Sequence, residues 1–95
     1  MKELPQPSQV AEAIAVQALT FIAGDPARLG RFLAETGVGP ATIRAAAADP
    51  QFLAGVLDFL LGDDSLVVAF AGYAEIEPEY VQTARDILAG RSNPR

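Results

Sequence analysis

A chain of 95 residues with a net charge of −5 is the size of one domain, and its acidity disfavours nucleic acid and anionic membrane as partners. Its composition, 51% hydrophobic and 20% charged, is that of a folded globule rather than a disordered segment. It has no cysteine and no histidine, which excludes disulfide frameworks, thiolate metal sites, a cysteine nucleophile, and the commonest general base and zinc ligand.

The opening stretch, "MKELPQPSQ", lacks the apolar core of a signal peptide and reads as a frayed polar leader over residues 1–7. No segment reaches the ~18 uninterrupted apolar residues of a membrane span, so the expectation is a cytoplasmic protein that makes no membrane contact. Helix-start signals then recur: "SQVAEA", "GDPARL", "VGPATI", "ADPQFL", "GDDSLV" and "IEPEYV". In Asp25-Pro26 and Asp49-Pro50 a capping carboxylate precedes a proline that has no N–H to leave unsatisfied. Gly24, Gly37, Gly62 and Gly90 fall where helices should stop, because glycine accepts the left-handed conformation. These signals predict six helices, over 8–23, 26–36, 40–48, 50–61, 64–75 and 78–89, in one all-α domain spanning 8–90, with a frayed tail over 91–95.

The periodicity agrees. The fourth helix is apolar nearly all round (Phe52, Leu53, Val56, Leu57, Phe59, Leu60, Leu61), so it is either central or presents an apolar face to a partner. The fifth sets Leu66, Val67, Phe70, Tyr73 and Ala74 on one side, and the sixth Tyr80, Val81, Ala84, Ile87 and Leu88. The third, "PATIRAAAA", has the small side chains of a close helix approach.

Sliding the chain on itself by 38 residues lays "LTFIAGDPARLGRFLAETGVGPATIRAA" over "LDFLLGDDSLVVAFAGYAEIEPEYVQTA". The seven identities include Phe21/Phe59, Asp25/Asp63, Phe32/Phe70 and Pro40/Pro78, against about two expected by chance. This predicts a compact six-helix bundle built from two three-helix pseudo-repeats, 8–48 and 49–90, each burying its apolar face against the other.

One short stretch, "TGVGPATIRAA", resembles a helix-hairpin-helix, the DNA-binding element whose Gly-hydrophobic-Gly turn offers backbone N–H groups to a phosphate. On that reading Gly37 and Gly39 bracket Val38, Pro40 and then Thr42 follow, and Arg44 supplies charge. The competing reading is a plain joint between helices. The second copy has "AEIEPEYVQTA" here, keeping the apolar residue and the proline while Glu75 and Glu77 replace both glycines. The joint is thus shared between the copies and the cradle is not, so the joint is favoured and nucleic acid is the secondary reading.

Other chemistry meets simpler explanations. Asp58, Asp63 and Asp64 lack the ligand order of a calcium loop, and Asp63 and Asp64 suit a helix cap and first turn. Glu75, Glu77 and Glu79 surround Pro78 as a solvated helix start rather than a carboxylate pair across a cleft. Ser8, Ser65 and Ser92 have no histidine to activate them, and Lys2 lies in the leader. The expectation is therefore a chain with no catalytic, metal or cofactor site. Its charge is uneven: residues 55–90 hold seven acids against Arg85 alone, while residues 25–48 hold three arginines against two acids. Tyr73 and Tyr80 are the aromatics suited to half-exposed interface positions.

The stretches "AEAIAVQALTFIAGDPARLGRFLAETG" and "DPQFLAGVLDFLLGDDSLVVAFA", within residues 11–89, resemble a small all-helical family of alphaproteobacteria classed only as a domain of unknown function. The resemblance implies the helical fold and carries no activity. It also implies that the position of Gly39 is often acidic, which makes the Gly-Val-Gly cradle incidental. The expected role is binding an unidentified protein partner, or a structural one, as a monomer or weak homodimer, through the apolar surplus of the fourth and fifth helices or the acidic 58–86 surface.

Overall fold

The computed structural model describes residues 7–92. Six α-helices follow one another: α1 (Pro7–Ala23), α2 (Pro26–Thr36), α3 (Pro40–Ala46), α4 (Pro50–Leu61), α5 (Asp64–Ala74) and α6 (Glu79–Ser92). The fold is an all-α six-helix bundle. Of the predicted leader (1–7) and tail (91–95), residues 1–6 and 93–95 lie outside the described residues, whereas Pro7 already belongs to α1 and Arg91 and Ser92 belong to α6.

Three helices begin by the same local chemistry. Asp25, Asp49 and Asp63 take extended backbone angles, and each carboxylate accepts the N–H two residues on, from Ala27, Gln51 and Ser65 respectively, at 3.0 Å. Each cap satisfies one of the amides that a helix N-terminus leaves without a partner. Helix ends are less uniform than the glycine pattern predicts. Among the four expected stop glycines, Gly37 alone is left-handed, at φ 73°, with its N–H donated to the Leu33 carbonyl at 2.9 Å. Gly62 closes α4 in the right-handed region, and α6 runs through Gly90 to Ser92. α5 ends on a left-handed Glu75, at φ 60°, where no glycine is present. α3 stops at Ala46, two residues short of expectation; Ala47 and Ala48 continue as a turn, and Asp49 then takes the extended angles of the next cap.

Packing centres on α4. Its Leu53, Val56, Leu57, Phe59 and Leu60 are buried, so its apolar surplus is core and not a docking face. α6 lies against both α4 and α1 and makes the most extensive helix contacts of the bundle. Alanines allow the approach: Ala11, Ala15 and Ala18 on α1 and Ala84 on α6 are fully buried, with Ile22 and Leu88 filling the space beside them. Burying each larger aliphatic side chain contributes about 1.5–3 kcal/mol. Arg85 fastens α6 to α4, donating from Nε to Asp58 at 2.8 Å.

Positions 38 residues apart play matching roles over the first two helices of each half. Asp25 and Asp63 cap α2 and α5, Gly37 and Glu75 end them left-handed, and Phe32 and Phe70 are fully buried. Phe21 meets Phe70 at 5.6 Å, and Phe59 meets Phe32 at 5.3 Å, so the two ring pairs exchange under the same shift. The correspondence stops at the third helix. α6 packs across α1 and α4, whereas α3 packs sparsely against its neighbours, with the half-buried Ile43 as its one large aliphatic side chain.

Candidate functional site

The Gly-Val-Gly turn is on the surface, with Gly37, Gly39, Thr42 and Arg44 all exposed. Its amides are largely committed within the chain. Gly37 N–H caps α2 through the Leu33 carbonyl at 2.9 Å, and Val38 N–H donates to the Thr36 hydroxyl at 3.3 Å. The N–H and the hydroxyl of Thr42 both donate to the Gly39 carbonyl, at 3.0 and 2.8 Å. A phosphate could use the Gly37, Val38 and Thr42 amides only by displacing these bonds. It would also face the weak dipole of the seven-residue α3. Val38 is half-buried, as a joint requires.

The basic residues nearby do not pool their charge. Arg28 pairs with Asp25 at 3.5 Å and stacks 4.0 Å above the Phe21 ring. Arg31 stands between Glu35 at 3.9 Å and Asp63 at 3.8 Å and lies 5.2 Å from the centroid of the Phe59 ring. Arg44 makes no ion pair among the described residues. Two of the three arginines are therefore neutralised in place, and they steady aromatic packing instead.

The acids also divide. Asp58 accepts from Arg85, which raises the Arg85 pKa first through that hydrogen bond, then through attraction to Asp58, with a smaller contribution from Asp86. Asp63 caps α5. No group of three or more acidic residues is placed to hold a metal ion among the described residues.

The feature that stands out is α5. From Ser65 to Ala74 it carries no charged residue. Leu66, Phe70 and Ala71 turn into the core, while Ser65, Val68, Ala69, Gly72 and Tyr73 face outward. At about 100° per residue these five span an arc of roughly 140°. Val68 is 64% exposed and Tyr73 54% exposed, and they stand at the two edges with Ser65, Ala69 and Gly72 between them. Such a helix reverses the usual rule that the solvent side is polar. Tyr73 is not loose: its ring lies 5.3 Å from Phe21 and 6.2 Å from Phe70. Val16, 45% exposed on α1, adds a further outward apolar side chain.

Sequence periodicity identifies Tyr73 as an aromatic to watch but places it on the core side of α5, and it passes over Val68. Three apolar residues in a row, Leu66 to Val68, leave the rotation of the helix undetermined until the neighbouring helices fix it. No single described helix is long and apolar enough to cross a membrane.

The protein is thus an all-helical bundle whose distinctive surface is one uncharged helix face. It belongs to the family described as a protein of unknown function (DUF3572), whose model matches residues 8–91. No curated protein and no solved structure matches the chain.

Proposed function

We propose that this domain is a non-catalytic interaction module that binds another protein through the outward face of α5. The observation that carries the reading is the exposure of Val68 and Tyr73 on a helix face with no charged residue between Ser65 and Ala74. Large apolar side chains on such a face lose water on docking and so favour association. Tyr73 suits an anchor, because contacts with Phe21 and Phe70 already restrict its ring and lower the entropy lost on binding. The lack of histidine and cysteine supports a role without catalysis or cofactor. A photo-crosslinking amino acid at position 68 or 73, compared with position 83 on the exposed side of α6, tests it. Discrete adducts from 68 and 73 and none from 83 are expected; the same adducts from all three positions would overturn the reading.

A second reading, nucleic-acid binding through Gly37, Gly39, Thr42 and Arg44, has one observation in its favour. Gly39 has an ordinary φ of −80°, and a Cβ there would meet nothing within 4 Å, so the fold does not itself require glycine. An NMR titration with short duplex and single-stranded DNA at low salt decides it. Salt-sensitive shifts confined to residues 37–44 would establish this reading, and unmoved peaks would dispose of it.

A further inference from the structure

We infer that the occupant of the α5 face is an amphipathic helix of another protein, about three turns long, with Lys or Arg at the end that lies beside Glu75, Glu77 and Glu79. This rests on the reading of α5 as a docking face and adds the chemistry of the partner.

The shape comes from side-chain sizes. Val68 and Tyr73 form the edges of the exposed arc, and Ser65, Ala69 and Gly72 form its floor. A Cβ added at Gly72 would meet nothing within 4 Å, so the floor is open. That profile is a shallow trough running along the helix, and the ridge of a second helix packs into such a groove at an interaxial distance of about 8–10 Å. α5 has 11 residues, and at about 1.5 Å per residue the trough is some three turns long.

The charge around the trough selects the occupant. At its C-terminal end Glu75, Glu77 and Glu79 are all exposed and make no ion pair among the described residues. The carbonyl end of the α5 dipole adds to their field. At the N-terminal end Asp64 is exposed, while Asp63 is engaged, one oxygen capping Ser65 and the other 3.8 Å from Arg31. Both ends are acidic, the C-terminal one more so, and the trough between them is uncharged. An apolar helix with a basic end matches both features.

The same charges disfavour the other occupants. Two copies of this chain packed α5 on α5 would bring acids against acids at each end, whether the helices ran parallel or antiparallel. An anionic lipid surface would be repelled by the same residues. A basic partner would instead be steered in by a chain of net charge −5.

The experiment is a selection from a displayed library of 16-residue helix-forming peptides, randomised at every outward position, against the full chain. The selected peptides are expected to carry an apolar stripe with Lys or Arg clustered at one end. Their binding should weaken at least tenfold for Val68→Glu. It should weaken roughly three- to tenfold for the combined Glu75→Gln, Glu77→Gln, Glu79→Gln variant, the range for a few rim charges. Raising salt from low to about 0.5 M on the unaltered protein should give a comparable loss, because the Debye length falls below that of physiological salt. This salt arm does not depend on whether any variant folds. Peptides that need Val68 but show no basic bias and no salt dependence would overturn the inference and leave α5 as a docking face. Peptides indifferent to Val68→Glu, or no selected peptides, would overturn both. A dimer in sedimentation that Val68→Glu dissociates would replace the foreign helix with a second copy.

Discussion

The ring of Phe32 on α2 meets the ring of Phe59 on α4 edge to face, with centroids 5.3 Å apart and planes at 83°. Phe32 is fully buried, and it is the buried contact through which the short α2 holds to the central helix. Truncating it removes the transfer energy of the ring and leaves a cavity that rigid neighbours fill poorly. Phe32→Ala should cost about 3–5 kcal/mol. For a chain of 95 residues, total stability is on the order of 5–14 kcal/mol, so the variant should sit near the edge of folding. Urea denaturation measures this, and a loss below about 1 kcal/mol would show that α2 is held by other contacts.

The three aspartate caps allow a cleaner comparison, since each makes the same 3.0 Å bond. Asp49→Ala should destabilise by about 0.5–2 kcal/mol, and Asp49→Ser by much less, because serine accepts the same amide bond. Asp63→Ala should fall in the same range despite the added proximity of Arg31, since an exposed pair of that kind contributes about 0–1 kcal/mol. Shifts in the urea midpoint of Asp49→Ala and Asp63→Ala, with Asp25→Ala for the third cap, check the equivalence.

These caps explain why so much of the fold is legible in the sequence. A cap is decided within three residues, so "GDPARL", "ADPQFL" and "GDDSLV" predict where α2, α4 and α5 begin without knowledge of the rest. The uniformly apolar α4 likewise declares itself central. What is hidden depends on distant residues. Gly90 looks like a stop but continues α6, whereas Glu75 looks unsuited to a left-handed end and supplies one. The sparse packing of α3 follows from α6 taking the place on α1 and α4, which no local signal announces. The rotation of α5 is hidden for the same reason, because it is set by Phe21 on α1 and by the α4 residues it packs against.

Left-handed helix ends give opposite predictions at matched positions. Gly37→Ala places a Cβ at φ 73° and should destabilise by about 1–2 kcal/mol. Glu75, at φ 60°, already bears that strain. Glu75→Gly should relieve it, less the extra freedom glycine brings to the unfolded chain, for a net gain of about 0.5–1 kcal/mol. Gly39→Ala, at φ −80° and with open space around the added carbon, should be neutral or slightly stabilising. Thermal melts of the three variants rank them, and a clear loss at Gly39 would show that the fold itself requires glycine there and remove the observation that favours the nucleic-acid reading.

Stability should be flat across neutral pH. The chain has no histidine, so it lacks the side chain that ordinarily changes charge between about pH 5 and 8. Arg85 has a raised pKa, through its hydrogen bond to Asp58, attraction to that carboxylate and a bond to Asp86. A raised pKa stabilises at every pH below the group's unfolded value and is lost only as pH climbs through the folded one. For an arginine that window lies far above neutrality. The melting temperature should therefore change by less than about 2 °C between pH 6 and 8, and a clear slope in that range would point to a further group that titrates on unfolding.

The orientation of α5 decides the proposed interaction face, and two neighbouring residues test it directly. Leu66 is buried and Val68 is 64% exposed, although both are apolar and only two positions apart. A charge at 66 would be carried into the core without a partner, so Leu66→Glu should lose at least about 3 kcal/mol or fail to fold. The same charge at 68 enters water and should stay within about 0.5 kcal/mol of the parent. Tyr73→Ala falls between, losing ring contacts with Phe21 and Phe70 at about 0.5–1.5 kcal/mol each. Equal losses at 66 and 68 would mean that α5 is rotated and that its outward trough does not exist. A neutral Val68→Glu would leave a folded chain in which the only large change is a charge at one edge of the docking surface. Any partner bound by the parent and not by this variant then binds at α5.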